Sequence, residues 1–261
     1  MIDTDYRLRA VPAGLRSELQ EAASNHGYRR ETGEADGWLY FASDINVPGE
    51  IGLAVAADGV CWFLAVEHPG VAAELDAPAA APVPQGKRAA FGFVHQSAMR
   101  GALHRAYVLA TTLPTLPLLE FEAAVAGLGD TEAERLLRVR IGQDHFRGAL
   151  MGYWNGRCPL TGIEEPALLR ASHIVPWAQC ASDEERLNVH NGLLLAAHWD
   201  AAFDAGLVSF EDDGSALFSP HLGAAARQSL GRPSSLAITD EHRTRLAWHR
   251  SCFGFDSTRN T

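Results

Sequence analysis

At 261 residues, 47% of them hydrophobic, the chain is long enough to bury one or two cores, and no run approaches the roughly 20 apolar residues a membrane span needs. A formal net charge of −10 weighs against an extensive phosphate-binding surface, because affinity for nucleic acid comes largely from Lys and Arg. The opening Met1-Ile2-Asp3-Thr4-Asp5 is too acidic for a signal peptide, so the expected setting is the cytoplasm, with no membrane partner.

The charge is unevenly spread. Residues 1–133 hold 9 basic and 17 acidic side chains, and residues 134–261 hold 13 and 15, so the second half is the one suited to a polyanion. Lys87 is the sole lysine and every other cation is arginine, whose planar fork matches phosphate oxygens. Cys61, Cys158, Cys180 and Cys252 are scattered and form no Cys-x-x-Cys pair, which leaves a structural zinc without ligands and makes reduced thiols the expectation.

In chain order, the spacing of Leu15, Leu19 and Ala22 or Ala23 predicts a helix over residues 12–26, stopped by Gly27. Trp38–Ser43, Ile51–Ala57 and Val60–Val66 read as strands, the last two joined by Asp58-Gly59, where Gly readily takes the positive φ of a tight hairpin. Trp38, Tyr40, Phe41, Trp62 and Phe63 in this sheet are core candidates that base stacking would also suit. Residues 76–86, with three prolines, read as an extended linker. Lys87 to Leu109 is the most basic stretch of the first half and ends in a helix, as a solvated face or a DNA-contacting one.

Thr131-Glu132-Ala133-Glu134 has the capping-box pattern and predicts a long helix carrying Phe146, Leu150 and Tyr153, ended by Asn155-Gly156. A boundary ahead of this helix divides the chain into residues 1–125, of unassigned role, and residues 126–261. Cys158–Gly162 and Leu168–Val175 read as two short strands. A further apolar run follows Asn191, and His198–Ala205 reads as a short helix stopped by Gly206. Positions i and i+4 share a helix face, so Asp200 and Asp204 can point at one cation. A hairpin over Leu207–Phe218 and a helix capped by Thr239 complete the chain.

The order Phe146-Arg147, Tyr153, Cys158-Pro159-Leu160-Thr161-Gly162, Ala171-Ser172-His173-Ile174-Val175-Pro176-Trp177, Asn191-Gly192-Leu193-Leu194-Leu195 and Phe203-Asp204-Ala205-Gly206-Leu207-Val208 resembles the HNH endonuclease family, in its restriction-endonuclease-like branch, over about residues 140–212. With the antiparallel sheet and helices read in the first part, the whole is an α+β protein, and the resemblance implies a ββα-metal finger embedded in helices in the second part. It implies a phosphodiester hydrolase acting on DNA, with His173 as general base, Asn191 orienting it, and Asp200 as a ligand to one divalent ion, Mg²⁺ or Mn²⁺.

Asp204 lies where some family members place a further ligand, although bonding to nearby amides suits it equally. His198 is either a ligand or an exposed first-turn residue. Arg147, Arg157 and Arg170 are candidate nucleic-acid contacts or surface ion-pair formers. Many members carry Asp or His immediately before the catalytic histidine, where this chain has Ser172. That departure and the negative charge keep one rival open, a non-catalytic DNA-binding or protein-interaction module, and a nuclease acting on RNA or structured nucleic acid is a third reading. Restriction of modified or foreign DNA is the expected role by analogy, and a homodimer is expected if both strands are cut.

Overall fold

The computed structural model describes residues 8–80 and 83–255, in two compact units, one ending at Leu116 and the other beginning at Pro117. The fold is α+β in both. In the first unit α1 (Ala13–Asn25) buries Leu15, Leu19, Ala22 and Ala23, the face its periodicity predicts, and Gly27 follows with φ +88°. A five-stranded antiparallel meander then runs β1 (Arg30–Ala35), β2 (Trp38–Ala42), β3 (Ile51–Val55), β4 (Trp62–Val66), with α2 (Pro69–Glu74) before β5 (Ala89–Phe93). Helix α3 (Gln96–Thr112) packs on β4 and β5 through a buried row that includes Met99, Leu103 and Ala106.

Asp36 and Gly37 both have positive φ in the β1–β2 turn, the mirror-image geometry that follows strand twist. Trp38, Phe41 and Phe63 are core, whereas Tyr40 and Trp62 are partly exposed. Lys87 is drawn inward, 5% exposed, onto Glu50 and over the Tyr40 ring at 4.8 Å. Lys87, one of several cations in that basic stretch, is therefore an internal tie. Of the Pro-rich stretch, Ala79 bridges to Phe91, and residues 81 and 82 lie outside the described residues.

Helix α4 (Thr115–Val125) spans the division between the units. Helix α5 (Glu132–Tyr153) begins with the predicted box: the Glu134 amide donates to Thr131 Oγ1, and the Thr131 amide donates to Glu134 Oε2 at 3.0 Å. Asn155 and Gly156, both with positive φ, stop it. The strand expected over Cys158–Gly162 is instead a tight turn. The Gly162 amide donates to the Cys158 carbonyl at 2.8 Å and Gly162 takes φ +76°, a reversal that Pro159 and Gly162 favour over extension. The two strands of the finger are β6 (Leu169–His173) and β7 (Gly192–Ala196), antiparallel, with His173 opposite Gly192 and Leu169 opposite Ala196.

Between them lies a loop with α6 (Asp183–Leu187). Helix α7 (Ala197–Asp204) leaves β7 directly and ends at Gly206, φ +64°. The hairpin β8 (Val208–Phe210) and β9 (Ala216–Phe218), helix α8 (Ala224–Leu230) and helix α9 (Asp240–Cys252) follow. All five β7 residues are buried, as expected of a strand covered on both faces, by α5 and α7. Trp199, Phe203, Phe210 and Leu246 join β7 in one core. No single helix among the described residues is long and apolar enough to cross a membrane.

Candidate active site

Strand β6 delivers His173 and the loop after it is held from inside. Asn191, fully buried, accepts the Val175 amide on Oδ1 at 2.8 Å, and its Nδ2 donates to the Val175 carbonyl at 3.1 Å and the Glu185 carbonyl at 3.3 Å. One amide side chain thus fixes both ends of the loop that follows His173. Arg186 fixes its middle, donating to the carbonyls of Trp177 (3.2 Å) and Cys180 (2.7 Å) and to Asp183 (2.9 Å).

The His173 ring lies face to face with Phe146, centroids 3.8 Å apart and planes 18° apart, and meets Trp177 edge-on at 5.6 Å. Gly192, the cross-strand partner of His173, makes room for this: a Cβ there would stand 2.7 Å from Leu150 and collide with Phe146. His173 Nε2 is 2.9 Å from the Arg186 carbonyl. A carbonyl only accepts, so the proton sits on Nε2 and Nδ1 carries the free lone pair. Burial lowers the His173 pKa below the ordinary 6.5, and the Arg186 carbonyl opposes this less strongly, so the ring is neutral near pH 7.

His173, Asp200 and Asp204 line one cleft of about 440 Å³ together with Ser172 and Trp177. Ser172 Oγ donates to Asp200 Oδ1, so the serine immediately before the histidine is bonded to a carboxylate of α7. Partial desolvation raises the pKa of Asp204, and the Asp200 charge raises it further. Two neighbouring carboxylates that resist joint ionisation are relieved by a cation between them. Among the described residues no three His, Cys, Asp or Glu side chains converge as a cluster; the oxygen donors this cleft offers are the Asp200 and Asp204 carboxylates and the Ser172 hydroxyl. An all-oxygen set with few protein ligands suits a hard ion that keeps several waters.

His198 is not brought to this cleft. It is exposed and lines a separate one with Arg157 and Arg232, because two residues along an α-helix turn the side chain by about 200°. The histidine at 190 is also elsewhere, buried with Nδ1 3.1 Å from Glu241 Oε2 and edge-on to Tyr153. Arg147, expected to meet phosphate, has Nη1 and Nη2 on the carbonyls of Leu169 (2.9 Å) and Pro166 (2.7 Å), bracing the entry to β6. Arg170 Nη1 donates to the carbonyls of Ala167 and Leu169, and Arg157 pairs with Glu164. None of the three lines the cleft of His173.

Three contributors were not anticipated. Arg186 sits in an Asp-Glu-Glu-Arg run that reads as a solvated helix, and nothing in the sequence marks it. His249 and Phe253 continue a face of α9 begun by His242 and Leu246, a spacing of 4, 3 and 4 that was open to reading. The His249 ring stacks on Phe203 at 4.0 Å, with Nε2 near the Phe203 carbonyl (3.2 Å) and Nδ1 near Ser209 Oγ (3.0 Å), which ties α9 to the helix bearing both aspartates.

No curated protein matches the chain. A strand, a clamped loop, a second strand and a helix bring a neutral imidazole and two carboxylates into one cleft, and residues 158–211, in the C-terminal part of the chain, match the family model described as HNH endonuclease.

Proposed function

We propose that the C-terminal unit hydrolyses DNA phosphodiester bonds with the help of one divalent cation. The observation that carries this reading is the fixed tautomer of His173. With Nε2–H on the Arg186 carbonyl, Nδ1 takes a proton from water as the water oxygen attacks phosphorus. The P–O3′ bond breaks, the departing oxygen is protonated from solvent, and 5′-phosphate and 3′-hydroxyl ends result. Asn191 and Arg186 hold the loop that supplies that carbonyl, and Phe146 holds the plane of the imidazole. Asp200 and Asp204, with Ser172 beside Asp200, would hold Mg²⁺ or Mn²⁺, which when bound neutralises charge on the phosphate and the leaving oxygen.

By analogy with restriction enzymes, the N-terminal unit selects the substrate, modified or foreign DNA, and a cut in both strands would need two copies of the chain. Ser172, in place of a carboxylate, favours one alternative, a finger that binds nucleic acid without cutting it. Incubating the purified protein with supercoiled plasmid and Mg²⁺ or Mn²⁺ separates the two. Nicking that vanishes in His173→Ala is the expected result. Nicking unchanged in that variant removes His173 from the role of base, and wild-type protein that cuts neither plasmid nor single-stranded DNA with either ion leaves the binding module.

A further inference from the structure

Among the described residues, no Lys or Arg lines the cleft that holds His173, Asp200 and Asp204. Duplex DNA is gripped mainly through phosphates by such cations. Here the arginines of the finger are committed elsewhere: Arg147 and Arg186 to main-chain carbonyls, Arg157 to Glu164 in another cleft. What the cleft offers besides its acids is aromatic surface, from Trp177 in the loop and from Trp248 and Phe253 at the end of α9.

These rings are not core. Phe253 is 44% exposed, Trp177 and Trp248 are partly exposed, and none belongs to the cluster built on Trp199, Phe203 and Phe210. The wall is nevertheless fixed relative to the carboxylates. Phe253 lies on the His249 ring at 4.7 Å, His249 is stacked on Phe203 of α7, and Gly206 leaves no space for a Cβ beneath Phe253. A cleft of about 440 Å³ is also within the range, roughly 300–1,000 Å³, of sites that enclose small molecules.

We infer that this wall receives an unpaired nucleobase next to the scissile phosphate, stacked on Trp248 and Phe253, so that the preferred substrate is single-stranded or locally unpaired nucleic acid. Bases inside a duplex are covered by their neighbours and cannot reach such a wall, whereas every unpaired base has a π-face to offer. The inference rests on the reading of the cleft as a nuclease site, and it can be tested apart from cleavage.

Full-length His173→Ala protein with Mg²⁺ is titrated into an oligonucleotide carrying 2-aminopurine, whose fluorescence is quenched on stacking, as a single strand and as a duplex. Quenching and tighter binding are expected for the single strand. Trp248→Leu, which keeps apolar bulk, should weaken that binding about five- to a hundredfold, the range of one base stacked on an aromatic ring, while Trp248→Phe keeps most of it. If Trp248→Leu lowers the melting temperature, Phe253→Leu, at a more exposed position, makes the same comparison. Equal binding of duplex and single strand, or leucine variants that leave affinity and quenching unchanged, overturns the inference. Wild-type protein that cuts neither substrate while quenching persists overturns the nuclease reading and leaves the stacking wall standing.

Discussion

A ring nitrogen 2.9 Å from a carbonyl oxygen has to bring the proton itself, which leaves Nδ1 of His173 with the free lone pair that the proposed reaction uses. Because burial lowers its pKa, the base should stay deprotonated through pH 6.5, and the nicking rate should fall only at lower pH. A rate profile from pH 5 to 8 checks this, and an acidic limb centred above 6.5 contradicts it. Asn191 acts through its bonds to the loop. Asn191→Ala leaves the buried Val175 amide without its acceptor and the Val175 carbonyl with only the Cys180 thiol, a loss of about 1–3 kcal/mol for the unsatisfied amide. It should lower both the urea midpoint and the nicking rate, whereas Asn191→Asp, which keeps an acceptor for the Val175 amide, should lower both less.

At the scale of elements, β6 and β7 are useful because α5 lies on one side and α7 on the other, and Gly192 sets how close α5 comes. Its backbone is extended, φ −148° and ψ 153°, so only space is at issue. Gly192→Ala should push Phe146 and Leu150 away, at a cost of about 1–3 kcal/mol for an overpacked contact. It should also slow nicking more than the stability loss accounts for, since Phe146 is the His173 platform. Thermal melts beside single-turnover rates measure the two effects separately. Much at this scale was legible in sequence: α1, α7 and α9 from periodicity and stops, α5 from its box, β3 and β4 from Asp58-Gly59.

The misses share a physical cause. Strand β1 is mostly exposed and polar, so it lacks the alternation that signals a half-buried strand. Strand β5, Ala-Ala-Phe-Gly-Phe, lacks the β-branched residues that mark one. The pairing of β6 with β7 depends on which of three candidate segments meet, information that local pattern does not hold. In the cleft itself, order and spacing single out His173, Asp200 and Asp204, which line it together, and Asn191, which is bonded to the loop behind it. His198 lines another cleft because it lies two positions from Asp200, where α-helical geometry turns it to the opposite side.

For the molecule as a whole, buried imidazoles set an acid limit. His249 and His242 are held down, mainly by burial, to about 4 and about 3 respectively. Below the unfolded value near 6.5 the unfolded chain takes up protons that the folded one refuses, so stability present above that pH drains away as pH falls toward 4. The slope is at most about 1.4 kcal/mol per pH unit for each ring. Urea midpoints at pH 7.0, 5.5 and 4.5 should fall in that order, and substituting His249 with Gln should flatten the decline. Equal midpoints across that span would show that neither ring is buried neutral.

Lys87, beneath Glu50 and above Tyr40, carries the chain's sole side-chain amine. A reagent that acylates primary amines reaches that nitrogen only when its contacts with Glu50 and the Tyr40 ring open, so its slow incorporation at residue 87 becomes a clock for that local opening, timed independently of anything the cleft does.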